Sequence, residues 1–218
     1  MIKLIINCDD FGMSRIFNEK ILELLDKGYA KSTSVMVGMV TKEQDGQVKR
    51  LTELYDERKV SAGLHLEFDV KRPVYQQVES QYKKFISIFG IPPSHIDYHR
   101  PRGTPEAQFK ELVAAGDRFA KAHDLPARNR AVAMTARHTT YPAFLCKDIT
   151  MDFDEVLGFL KSVKDGSSCE LITHPGEYDP ESKSSRNSQR KIDYDAIVRL
   201  QDFLKKRKDI ANISYLEL

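Results

Sequence analysis

The chain has 218 residues, 30% of them charged and 41% hydrophobic, with a formal net charge of +2. Its many apolar and aromatic residues exclude disorder, and the near-neutral balance argues against a dedicated nucleic-acid binder. No apolar run approaches the ~20 residues of a membrane helix. Three scattered cysteines, Cys8, Cys146 and Cys169, exclude a disulfide framework or a cysteine zinc site.

Strand-like and helix-like runs alternate along the chain. Ile2–Asn7 is a β-branched strand, and Ser14 is placed to cap a helix that Gly28 stops. Ser32–Val37 reads as a strand, Lys42–Glu57 as a helix, Val60–Leu66 as a strand and Val74–Phe89 as a helix ended by Gly90. His95–Tyr98 is a short strand, and Thr104 is expected to cap a helix running to about His123. A strand is expected within Ala127–Met134, then a helix over Phe153–Val163 and a strand over Cys169–Thr173. After a Gly/Pro/Ser-rich loop, Ile192–Lys208 reads as a helix and Ile213–Leu216 as the last strand. The βαβα rhythm predicts an α/β fold in which parallel strands are covered by outer helices, as one domain over residues 1–218. Nine Lys/Arg against three Asp over residues 183–208 read as a solvated helix face.

In parallel α/β folds, chemistry collects where strands end at their C-terminal edge. Asp9-Asp10 closes the first strand, where alternation is expected to send the two carboxylates in different directions. One could bind a cation while the other accepts a proton. His65 interrupts the third strand just after Gly63, and His174 ends the strand at Thr173. His95, Asp97 and His99 share one face of the fourth strand, so Asp97 could orient His99 or meet a substrate, and His95 could support a ligand or simply pack. Four of the six histidines thus fall at or near strand ends. A carboxylate with two histidines suits a catalytic divalent ion with open positions, without choosing among the metals.

These residues resemble the YdjC-like carbohydrate deacetylases, which include the chitooligosaccharide deacetylases. The matching stretches are Asn7–Ser14, Ser32–Val37, Gly63–Leu66, His95–His99 and Thr173–Gly176, in family order. The resemblance implies an irregular TIM-like (β/α) barrel and a divalent ion, magnesium or zinc. It implies Asp10, His65 and His99 as metal ligands, Asp9 as general base, and His174 as a substrate-side acid or a stabiliser of the transition state. Asp97, His95 and Arg128 would then stand beside the substrate or behind the ligands, Arg128 where family members tend to have an arginine near the site. The substrate would be a small acetylated oligosaccharide, and pairing as a homodimer is a further expectation, since members often do so. Two stretches depart from the family pattern and should border the substrate cleft. Arg100-Pro101-Arg102-Gly103 stands where relatives usually have further histidines, and Glu67–Pro73 looks short. Arg100 and Arg102 also suit a phosphoesterase or another amidohydrolase with the same ligands, and a non-catalytic sugar-binding barrel is the remaining alternative. The start MIKLIIN lacks a signal peptide's long apolar region, so a cytoplasmic location is expected.

Overall fold

A computed structural model describes residues 1–69, 71–100, 103–131 and 134–218. Its centre is β1 (Ile2–Phe11), buried at nine of its ten positions, the continuous apolar run of a strand covered on both faces. Helix α1 (Arg15–Asp26) follows, with the Ser14 hydroxyl accepting from the Ile16 and Phe17 amides. It buries Phe17, Ile21, Leu24 and Leu25, an apolar stripe at helical spacing, and Gly28 turns the chain away at φ +67°. Next come β2 (Ser32–Val35), a 3₁₀ turn at Lys42–Gln44, α2 (Asp45–Asp56), β3 (Ser61–Leu66), α3 (Val74–Phe89) and β4 (Ile96–Tyr98). The chain then forms α4 (Glu106–Ala122), α5 (Phe153–Ser162), β5 (Ser168–Thr173), α6 (Arg190–Leu204) and β6 (Ile210–Ile213).

All pairings are parallel, in the order β4-β3-β2-β1-β5, and β6 joins β1. β1 pairs along Lys3–Cys8 with β5; it pairs with β6 at Ile2–Ile5 and with β2 from Asn7 onward. The expected parallel sheet with outer helices is therefore present. A complete eight-stranded barrel is not: the described residues form six strands, and the space between β4 and β5 is crossed by two isolated bridges, Ile96 with Ala127 and Phe144 with Leu171. Pro126 and Pro142 lack the N–H that a ladder there would need. The crossing is nonetheless hydrogen-bonded. Arg128 N–H donates to Ile96 O at 2.9 Å, Ala143 N–H to Asn129 O at 2.8 Å, and Phe144 N–H to Glu170 O at 2.8 Å.

Three local expectations shift. The strand expected within Ala127–Met134 is reduced to the Ala127 bridge, with residues 132–133 outside the described set. Helix α4 takes Pro105, not Thr104, at its N-cap. The last strand lies at Ile210–Ile213, with a 3₁₀ turn at Tyr215–Glu217, because Ile210–Ile213 is the stretch in register with β1. No helix among the described residues is long and apolar enough to cross a membrane.

The His95 ring stacks on Tyr215, with centroids 3.8 Å apart and planes 11° from parallel. Gly63 on β3 makes room for this stack, since a Cβ there would lie 2.3 Å from the His95 ring. Gly63→Ala should therefore cost about 1–3 kcal/mol, the usual penalty of overpacking. Urea denaturation would read it as a lower midpoint at unchanged slope; an unchanged midpoint would mean that the stack is not fixed.

Candidate active site

The site lies at the C-terminal edge of the strands. Asp9 and Asp10 come from the end of β1, His65 from β3, Asp97 from β4, His99 from just after β4, and His174 from just after β5. The two adjacent aspartates do not point apart as strand alternation suggests. The register with β2 advances three residues from Cys8 to Phe11 while β2 advances two, from Thr33 to Val35. One extra residue is thus inserted at the aspartate pair, a bulge of the kind that re-aims side chains. Asp10 absorbs it at φ +71°, a region that aspartate tolerates better than most residues. Both carboxylates then face His65, whose Nε2 lies 3.4 Å from Asp10 Oδ1 and 3.9 Å from Asp9 Oδ2.

Asp10 Oδ1, His65 Nε2 and His99 Nδ1 converge as the resemblance implies. His99 Nδ1 is 3.5 Å from the same Asp10 oxygen, and the three residues form a group able to hold a metal ion. Asp10 Oδ1 is buried without a hydrogen-bond partner, while Asp10 Oδ2 accepts from Arg190 Nη2 at 2.7 Å. Arg190 thus engages one oxygen and leaves the other for a cation. His65 is oriented from behind, its Nδ1 2.6 Å from Asp97 Oδ1, which leaves Nε2 as the ligating atom. Asp97 therefore supports His65 and not His99. A second overlapping group, Asp9, His65 and Asp97, is also close enough to ligate. Burial alone would lower the His65 pKa, but Asp97, Asp9 and Asp10 outweigh it and raise it to about 10. His65 thus carries a positive charge where its Nε2 and His99 Nδ1 converge on Asp10 Oδ1. An O,N,N donor set with one partly exposed histidine fits a divalent ion.

Asp9 is held by Arg128 through a bidentate pair, Nη1 to Oδ2 at 2.8 Å and Nη2 to Oδ1 at 2.6 Å. Asn7 Nδ2 also donates to Asp9 Oδ1 at 2.7 Å. Burial would raise the Asp9 pKa, but Arg128, His65 and His174 hold it far below the usual carboxylate range. Arg128 is fully buried, donates through Nε to Glu170 at 2.9 Å, and pairs through Nη2 with Asp97 Oδ2 at 2.7 Å. Tyr215 donates its hydroxyl to the other Glu170 oxygen at 2.6 Å.

His174 stands across from His65, with Nε2 3.9 Å from Asp9 Oδ2. Burial lowers its pKa to about 3, against the pull of Asp10 and Asp9 and with the push of Arg186 and Arg190, so the ring is neutral. His95 is in neither metal-capable group, and burial likewise lowers its pKa to about 3. Its Nδ1 meets Ser94 Oγ at 2.9 Å, and its ring packs against Tyr215. Arg100 pairs with Glu106 and covers the Phe109 ring, so it faces α4, while Pro101 and Arg102 lie outside the described residues.

Sequence reasoning missed Arg186, Arg190, Glu170, Asp193 and Tyr215. The two arginines belong to the basic segment read as a solvated face, and both turn inward. A single basic residue at the start of a helix, beside the loop that follows a strand-end histidine, was the one available signal.

Arg128→Met should leave Asp9, Asp97 and Glu170 buried without their cation. The expected cost is about 3–5 kcal/mol, typical of removing one partner from a buried ionic network. Thermal and urea unfolding would read it, and a loss below 1 kcal/mol would mean that water reaches these carboxylates.

Residues 3–77 match the family described as YdjC-like protein, which bears out the resemblance carried by the motifs. The carbohydrate deacetylase of Clostridium beijerinckii is 27% identical, over 84% of this chain and 85% of that protein. The chitooligosaccharide deacetylase of Proteus mirabilis is 28% identical, over 81% of this chain and 82% of that protein. A crystal structure from Enterococcus faecalis V583, described provisionally as a cellobiose-phosphate cleavage protein, superposes with a TM-score of 0.78. It covers 99% of this chain and 98% of that one at 18% identity, a likeness of fold.

Proposed function

We propose that this chain, a YdjC-like protein, is a metal-dependent carbohydrate deacetylase that removes acetyl groups from N-acetylated sugars or short oligosaccharides. The observation that carries the reading is the convergence of Asp10, His65 and His99 on one point, with the Asp9 carboxylate beside it. The deacetylase names of the similar proteins support the substrate class. The outward turn of Arg100 removes one cation that favoured a phosphoesterase. Within this reading the chain acts in the cytoplasm on a short oligosaccharide, and the homodimer expected from the resemblance is kept with it.

A divalent ion, magnesium or zinc, held by Asp10, His65 and His99 would polarise the acetyl carbonyl and acidify a water. The chain's own residues do the rest. Asp9 accepts the proton of the attacking water. Its bidentate partner Arg128 keeps it anionic and fixes its plane. Asp97 holds the His65 ring in the orientation that turns Nε2 to the site. His174 faces the reacting carbonyl and nitrogen from the other side.

The test is acetate release from N-acetylated oligosaccharides by protein stripped and reloaded with Mg, Zn, Mn, Ni or Co. Release should require metal. Asp9→Asn should lower kcat by about 10²–10⁴, the range for a lost general base, with metal binding retained. His65→Ala should lose metal binding by calorimetry and activity together. A bound ion without acetate release would point to another metallohydrolase, and no ion binding at all to a sugar-binding barrel.

A further inference from the structure

The hydrogen-bond partners of His174 decide between the two roles open to it. Its Nδ1 lies 3.1 Å from Arg186 Nη1. A guanidinium can only donate, so Nδ1 accepts and the ring hydrogen sits on Nε2, on the side of Asp9. An imidazolium would set a second donor against that guanidinium. The nearby carboxylate that could reverse the arrangement lies beyond hydrogen-bond distance of Nδ1. Asp193 Oδ2 is 3.9 Å from Nδ1 and takes the backbone N–H of His174 at 2.8 Å, while Oδ1 takes that of Met151 at 2.7 Å.

Arg186 is itself anchored. The same Nη1 donates to Ile149 O at 2.9 Å. Ile149 sits at φ +63°, a conformation that β-branched residues rarely adopt and that persists only where the surroundings enforce it. Here the Ile149 N–H donates to Cys146 O at 2.8 Å, and Asp193 ties Met151 to His174. The strained carbonyl and the His174 ring are thus two ends of one clamp closed by Arg186.

We propose that Arg186 is a positioning residue that fixes His174 in the Nε2–H tautomer, so that His174 stabilises the oxyanion by donating a hydrogen bond and does not supply the leaving amine's proton. The catalytic half of this rests on the deacetylase reading; the tautomer rests on geometry alone. The proton balance closes without a second acid. The water oxygen bonds to the acetyl carbon and its proton goes to Asp9. The carbon–nitrogen bond breaks as Asp9 returns that proton to nitrogen, giving acetic acid and a free amine.

The test is long-range ¹H–¹⁵N correlation of the histidine rings in the ¹⁵N-labelled full chain, with His174 assigned by its loss in His174→Gln. The wild type should show Nδ1 unprotonated and Nε2 protonated. Arg186→Met should lose that single-tautomer pattern at an unchanged thermal midpoint. Arg186→Lys should restore it, since an ammonium also donates. On substrate, Arg186→Met should lower kcat with KM unchanged, and Arg186→Lys should recover part of the loss. Hydrogen on Nδ1 in the wild type, or a wild-type pattern in Arg186→Met, would overturn the proposal. The wild-type spectrum decides the tautomer even if Arg186→Met fails to fold. An unchanged kcat in Arg186→Met would overturn the catalytic half. The ring pattern is read without substrate, so a chain that releases no acetate sinks the deacetylase reading and leaves the tautomer decided.

Discussion

The site depends on one buried cation. The Arg128 guanidinium reaches Asp9 on β1, Asp97 on β4 and Glu170 on β5 from a segment that forms no strand of its own. Each of those carboxylates would cost several kcal/mol to bury alone. Paired to one planar fork, they become a rigid brace across the opening that the backbone ladder leaves between β4 and β5. The same contact that spans this opening therefore sets the plane of Asp9 and, through Asp97, the direction of the His65 ring. Stability and site geometry are here one interaction, so changes at Arg128 should move both together.

A second constraint acts on the aspartate pair. Two adjacent residues of a regular strand cannot face the same point, and the bulge at Asp9-Asp10 removes that restriction. Each carboxylate then has its own arginine, Arg128 for Asp9 and Arg190 for Asp10. The two grips differ. Arg128 engages both Asp9 oxygens and holds the whole group, whereas Arg190 takes one oxygen of Asp10 and leaves the other without a hydrogen-bond partner, facing two histidine nitrogens. Neighbouring residues of the same type are thereby given different tasks by what lies behind them.

The parts of this site legible in the sequence are those written in local pattern. A buried parallel strand is an apolar run, so polar residues at its end stand out, and Asp9, Asp10, His65, His99 and His174 were visible in this way. Helix α3 matched its expected bounds because its apolar spacing and Gly90 mark both span and stop. The bulge was not legible, since nothing local distinguishes a bulged Asp-Asp from a regular one. Nor was the inward turn of Arg186 and Arg190, because a charge run reads as solvated unless the fold supplies buried partners for particular members. Arg128 came from the resemblance alone, for it sits in a stretch without periodicity. The last strand was displaced because its position is set by register against β1, and local apolarity does not encode that.

Three carboxylates and three cationic side chains meet at the centre. Asp9, Asp10 and Asp97 are all held below the usual carboxylate range, whereas burial raises Glu170. Arg128 and Arg190 offset two of the three anions, and in the metal-free chain the raised His65 offsets the third. Under the metal-dependent reading, a divalent ion held at His65 Nε2 would displace that proton, which would couple its affinity to pH. That exchange of one positive charge for two would leave the centre more positive by one unit. Under the deacetylase reading, that surplus would meet the anionic transition state at the acetyl carbon.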